Sequence, residues 1–300
     1  MPGGSRPTTA RLLLATAVAS GLFAGCGAGE TIAPESDTRA PEPQRTVVPG
    51  EPIVRPAPVH PGFDLTQDEA LALAEKLPEP AAQAARADLS GWLGALDILL
   101  DQPDHLTVLA DKEHALPADY VPAGLVRLDD YADRLVLSRP GHRLTRETTT
   151  ALIDMSDAAT ADGVTLVVSS TYRSYDYQAD LFDRWVAELG LEEASRVSAR
   201  PGTSQHQLGT TVDFGCICEA FAHEPAGVWL AENAWRYGFS LSYPRGYEEV
   251  TGYAYEPWHF RYVGPNAARI EREYFASIQQ WMLEFLHDHR ELLEAVRNEW

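Results

Sequence analysis

The chain has 300 residues, a formal net charge of −20 and a hydrophobic fraction of 45%. That charge argues against a nucleic-acid partner, which needs a basic face, and says nothing of a substrate. The length suits one sizeable domain with its own core, and no internal repeat is visible.

Taken in order, the chain opens on a targeting segment. Arg6 and Arg11 precede an apolar run from Leu12 to Ala24, too short to span a bilayer and of signal-peptide form. The run ends Leu22-Phe23-Ala24-Gly25-Cys26, which resembles the lipobox of bacterial lipoproteins, with Phe23 a departure from the usual Leu. That resemblance implies cleavage after residue 25, a lipid on Cys26 and a membrane anchor. Residues 26–62 are rich in Pro, Glu, Thr and Ala and read as a disordered tether.

Residues 63–104 read as an N-terminal helical extension. Asp64 to Leu77 is helical, with Thr66 as N-cap and Asp68 and Glu69 in the first turn, and Ala81 to Leu100 is a second helix. Leu106 to Leu109 reads as a strand and Leu116 to Pro122 as a loop. Thr145 to Ala161 is a helix stopped by Gly163, and Val164 to Thr171 reads as a buried strand, since Val164, Leu166, Val167 and Val168 are nearly continuous. Tyr175 to Leu189 is helical and closed by Gly190, and Val228 to Tyr237 is helical and closed by Gly238. From about Asn266 to Arg297, Ile270, Tyr274, Ile278, Trp281, Phe285 and Leu292 recur at helical spacing in one long final helix. The irregular alternation predicts an α+β fold: a small, mainly antiparallel sheet flanked by helices.

The chemistry concentrates in two clusters. Ser204-Gln205-His206-Gln207-Leu208-Gly209 leads into Thr210 to Phe214, so His206 is followed by a turn and by Asp213 on a strand. The second cluster is Glu256-Pro257-Trp258-His259, in an aromatic stretch of strand propensity. On one continuous strand Glu256 and His259 would face opposite sides, so the chain is expected to bend at Pro257. His206, Asp213 and His259 supply three ligands for one Zn2+, and Glu256 a free carboxylate, which is the inventory of a zinc hydrolase.

Other chemistries lack their residues. Neither Lys76 nor Lys112 has a serine three residues before it, and no Gly-x-Ser-x-Gly elbow occurs. Cys216 and Cys218 follow Asp213; on a strand their side chains diverge, so structural thiols or an unusual local bridge are the expectations.

Ser-x-His-x6-Asp followed by Glu-Pro-Trp-His resembles the VanY-type D-alanyl-D-alanine carboxypeptidases of zinc peptidase family M15. Ser169-Ser170-Thr171-Tyr172-Arg173-Ser174 with Gln178, Ser198-Ala199-Arg200-Pro201-Gly202, Gly238-Phe239 through Tyr243-Pro244, and Thr251-Gly252-Tyr253 match as well, in order, across residues 105–265. The resemblance implies a catalytic core over 105–265, with 266–300 as a C-terminal helix. It implies Glu256 as the proton shuttle, Arg173 at the reacting end of the peptide, and Ser204 and Gln178 against the substrate's terminal residues. Trp258 is expected to wall the pocket or orient a ligand. The implied substrate is a peptidoglycan stem peptide or its precursor, outside the cytoplasm in the periplasm or at the cell surface. An L,D-carboxypeptidase acting on tetrapeptide stems fits the same stretches. A dipeptidase fits less well, and a non-catalytic, metal-stabilised wall-binding module would have no need of Glu256. The family often has Glu where this chain has Gln205, so the surroundings of the metal are expected to differ there.

Overall fold

A computed structural model describes residues 55–298. The leader, Cys26 and most of the tether lie outside the described residues. The end of the predicted tether does not: residues 55–62 join the folded unit, with the Val59 N–H donating to Leu65 O and Phe63 bridging both His60 and Arg297.

The first helices are α1 (Gln67–Ala74), α2 (Glu79–Ala87) and α3 (Leu89–Leu100). Thr66 caps α1 through a reciprocal capping box with Glu69. The single helix expected over 81–100 is two, because Asp88 leaves the helical region and its carboxylate accepts the Gly91 N–H to start α3. The strand expected at Leu106 to Leu109 is absent. Pro103 starts a short helix, α4 (Asp104–Thr107), and the carbonyls of Leu106 and Val108 accept from Arg261 Nη2 at 3.0 and 2.8 Å.

Next come β1 (Leu125–Arg127), β2 (Val136–Leu137), β3 (Arg143–Thr145), α5 (Arg146–Ala161), β4 (Val167–Ser170), α6 (Tyr175–Leu189), α7 (Leu191–Val197), β5 (Thr211–Phe214), α8 (Pro225–Asn233), β6 (Phe239–Leu241), α9 (Glu248–Thr251) and β7 (His259–Tyr262). β1 and β3 pair apart from the main sheet, whose order is β2-β4-β5-β7-β6. Only β2 and β4 run parallel; every other pairing is antiparallel. This is the α+β architecture expected. The sheet packs Val168, Val212, Phe214 and Phe260 against Leu152 and Met155 of α5 and against Leu230 beyond it.

The final helix is also broken, into α10 (Pro265–Tyr274) and the long α11 (Gln279–Val296). Ala276 and Ser277 between them have φ of 52° and 60°, left-handed values that stop a helix. α10 and α11 form a second core with α1 to α3, in which Trp92 is fully buried and meets Phe285 edge-on at 5.7 Å. The N-terminal extension and the C-terminal helices are therefore each other's packing partners. Burying Trp92 contributes about 3 kcal/mol by area.

Candidate zinc site

The sheet brings the ligands together by register. Asp213 of β5 pairs directly with His259, the first residue of β7, and β4 ends beside Asp213 at Ser170. His206 sits on a 3-10 turn, Gln205–Leu208, whose start is capped by Ser204 Oγ accepting the His206 N–H at 3.3 Å. Gly209 then turns the chain into β5 at φ 69°; a Cβ there would lie 2.9 Å from Leu125, so both conformation and space require glycine. The expected bend at Pro257 exists: the His259 N–H donates to Glu256 O, and Glu256 stays outside β7.

His206 Nε2 lies 3.1 Å from Asp213 Oδ2, and His259 Nδ1 lies 3.1 Å from Asp213 Oδ1. The three donor atoms all fall within 4.8 Å of one another, and all three residues are buried. Glu256 Oε2 is 3.3 Å from His259 Nδ1. Neighbours fix the imidazole tautomers. His206 Nδ1 donates to Thr171 O at 2.7 Å, which frees Nε2; His259 Nε2 donates to Gln205 Oε1 at 3.3 Å, which frees Nδ1. Gln205 in turn accepts from Ser242 Oγ and donates to Gln279 of α11. The neutral amide thus ties a ligand histidine to the C-terminal helices.

The site is electrostatically tense. Burial and Arg173 push His206 down to about 4. Burial opposes ionisation of Asp213, but the two imidazoles outweigh it and hold the carboxyl well below the usual range. Burial also opposes a charged His259, yet hydrogen bonds to Asp213 and Glu256 carry it up to about 9. Burial raises Glu256, with His259 working against it. The buried Asp213 carboxylate thus demands a positive charge beside it, and a proton on His259 or a metal cation meets that demand. His206 Nε2 and Asp213 Oδ1, both buried, make close contacts within the group but none with good hydrogen-bond geometry. A donor set of one carboxylate and two imidazoles, two of its atoms orphaned, fits Zn2+ with one position left open.

A cavity of about 240 Å³ opens on this group. Arg173, Ser204, Glu256 and Trp258 all line it. Arg173 follows β4 on a short loop fixed by its own N–H donating to His206 O; its Nη2 is 4.0 Å from Asp213 Oδ2 and its Nε lacks a partner. Gln178, expected against the substrate's terminal residues, lies behind the cavity wall. It is buried and does not line the cavity; its Nε2 donates to Ala199 O at 2.7 Å and to Ser198 Oγ at 3.4 Å, so it braces the loop whose side chains do. Tyr243, whose ring is 4.7 Å from His259, and Tyr253 also line the cavity. Both stand in stretches quoted for the resemblance, but no spacing assigned them a place.

The cysteines are bonded to each other. Cys216 and Cys218 form a disulfide with Cα atoms 5.3 Å apart. The expectation of diverging side chains assumed a strand, but β5 ends at Phe214 and Gly215 turns the chain at φ 59°, where a Cβ would run into Phe221.

The family model of D-alanyl-D-alanine carboxypeptidase, VanY, matches residues 141–265. A D-alanyl-D-alanine carboxypeptidase of Enterococcus faecalis is 35% identical over 56% of this chain, and the match spans 62% of that protein, under two thirds of its length. The bifunctional D-Ala-D-Ala dipeptidase and D-Ala-D-Ala carboxypeptidase VanXYC of Enterococcus gallinarum is 33% identical over 63% of this chain and 96% of its own. Among solved structures, the LdcB LD-carboxypeptidase superposes with a TM-score of 0.55 at 35% identity, covering 60% of this chain and 86% of the other. With its ligand set, its sheet and these likenesses in agreement, the chain belongs to the VanY family of D-alanyl-D-alanine carboxypeptidases.

Proposed function

We propose that this zinc peptidase removes the C-terminal D-alanine from peptidoglycan stem peptides, outside the cytoplasm. The observation that carries the reading is Glu256: a carboxylate 3.3 Å from a ligand nitrogen, outside the closed group of three, facing the same cavity. A wall-binding module would have no use for it.

His206 Nε2, Asp213 and His259 Nδ1 would hold the ion, with Thr171 O and Gln205 keeping both rings in register. Zinc bound there supplies Lewis-acid chemistry, lowering the pKa of an attacking water from about 15.7 to about 7. Glu256 takes the proton of that water and returns it to the leaving amine; burial, which raises its pKa, suits it to both tasks. Arg173, anchored by its backbone and with an unpartnered Nε, faces negative charge as it develops on the scissile carbonyl or stands on the terminal carboxylate. Ser204 supplies a hydroxyl at the same wall, Trp258 shapes the cavity, and Gln178 acts through the 198–199 loop.

An L,D-carboxypeptidase acting on tetrapeptide stems is the second reading, supported by the likeness to the LdcB structure. D-alanine release from pentapeptide and tetrapeptide stems, with and without a chelator, separates the two. Chelator-sensitive release from the pentapeptide is expected; release from the tetrapeptide alone moves the assignment to the L,D branch, and hydrolysis of free D-Ala-D-Ala with both stems left intact moves it to a dipeptidase. No release by zinc-loaded enzyme overturns the carboxypeptidase reading.

The leader and Cys26 support a lipid-anchored protein with a tether ahead of the catalytic unit. Radiolabelled palmitate incorporated by the wild type and lost in Cys26→Ser is the expected result; equal labelling of both would refute the anchor.

A further inference from the structure

The Cys216–Cys218 bridge has no part in the chemistry above, yet it lies next to it. Asp213 is three residues before Cys216, and the residue between the cysteines, Ile217, lines the catalytic cavity. Ile217 is 56% exposed and, of the exposed large apolar side chains among the described residues, it is the one that lines this cavity. The bridge ties together the residues on either side of it. A disulfide spanning one residue closes a very short loop, so the backbone at 217 has little freedom to carry the side chain elsewhere. Leu181, Trp185 and Trp258 line the same cavity, so it has apolar side chains as well as the polar group formed by Arg173, Ser204 and Glu256.

We infer that Ile217, displayed by the Cys216–Cys218 bridge, is a specificity residue: with the other apolar side chains of the cavity it forms a subsite for an aliphatic side chain of the peptide, on the residue preceding its two terminal D-alanines. The inference rests on the carboxypeptidase reading and adds to it. The leaving residue carries a carboxylate and a methyl group, and its needs are met by Arg173 and Ser204. The apolar wall has no partner in that residue. The preceding part of the stem can use it, since burying alkyl surface against Ile217 and an indole gains affinity without a charge. Reduction or loss of the bridge frees the loop, and the wall loses its fixed position.

Peptide binding to the zinc-loaded Glu256→Gln protein tests this without turnover. Calorimetry would compare two acetylated tripeptides ending in D-Ala-D-Ala, one with Nε-acetyl-lysine and one with alanine at the first position. The expected result is about a tenfold preference for the long aliphatic chain, as for a few buried methylenes. Adding Ile217→Ser is expected to bring that preference close to one, and adding Cys216→Ser with Cys218→Ser to cut it severalfold. Equal affinities in the Ile217 protein, or a preference unmoved by Ile217→Ser, overturn the subsite. If neither peptide binds the zinc-loaded protein while the zinc is retained, the carboxypeptidase reading itself fails, which is a distinct outcome.

Discussion

Glu256 is the residue on which the proposed chemistry turns, and its environment makes two predictions. Glu256→Gln keeps the hydrogen-bonding shape but cannot accept a proton. Turnover is expected to fall by about 10²–10⁴, with zinc content, measured by metal analysis, unchanged. Retained activity would remove Glu256 from the proton transfer. Because burial raises its pKa, the carboxylate is neutral, and useless as a base, up to a higher pH than an ordinary glutamate. The acidic limb of kcat/KM is therefore expected above the ordinary glutamate value of 4.5; a limb at or below it would point to another base. Gln205 is the less obvious residue. It was visible in the sequence only as a departure from the usual Glu, and its contact with His259 Nε2 needed the fold to bring α11 and β7 together. Gln205→Ala leaves the ring unsupported, and zinc affinity is expected to drop by about 10- to 100-fold, read by competition with a chromophoric chelator. An unchanged affinity would leave Gln205 a packing residue.

At the scale of elements, what could be read in advance were those with local signals. Helix α6 ends where Gly190 takes φ 80°, α1 starts at its capping box, and β5 follows the left-handed Gly209. What could not be read had distant causes. The carbonyls of Leu106 and Val108 are claimed by Arg261, more than 150 residues away, so a sequence of good strand formers never joins a sheet. The break between α10 and α11 falls at Phe275-Ala276-Ser277-Ile278, with neither glycine nor proline to announce it; Ser277 N–H donates to Glu271 O across the turn. An L residue held at φ 60° costs about 1 kcal/mol or more, partly offset in the substitution by the greater freedom of an unfolded glycine. Ser277→Gly is expected to raise unfolding free energy by about 0.5 kcal/mol, measured by urea denaturation. A loss of stability would mean that the serine side chain contributes more than the backbone strain costs.

Across the whole molecule, the helical core of α1 to α3 with α10 and α11 meets the sheet at a buried carboxylate. Glu271 of α10 is 4% exposed, its Oε2 has no partner, and burial carries its pKa up to about 8, with Arg272 working against the shift. The unfolded chain releases this proton near 4.5, so the folded state holds it over the interval between the two values. Stability therefore falls as pH rises through that interval and levels off above about 8. Glu271→Gln stays neutral throughout. The variant is expected to match the wild type near pH 5 and to exceed it by a few kcal/mol above pH 8, the difference cancelling every other titration the two proteins share. Denaturation of both proteins at the two pH values decides it. A constant difference across the range would mean that Glu271 is already ionised in the folded state, with water reaching the seam between the helices and the sheet that frames the zinc site.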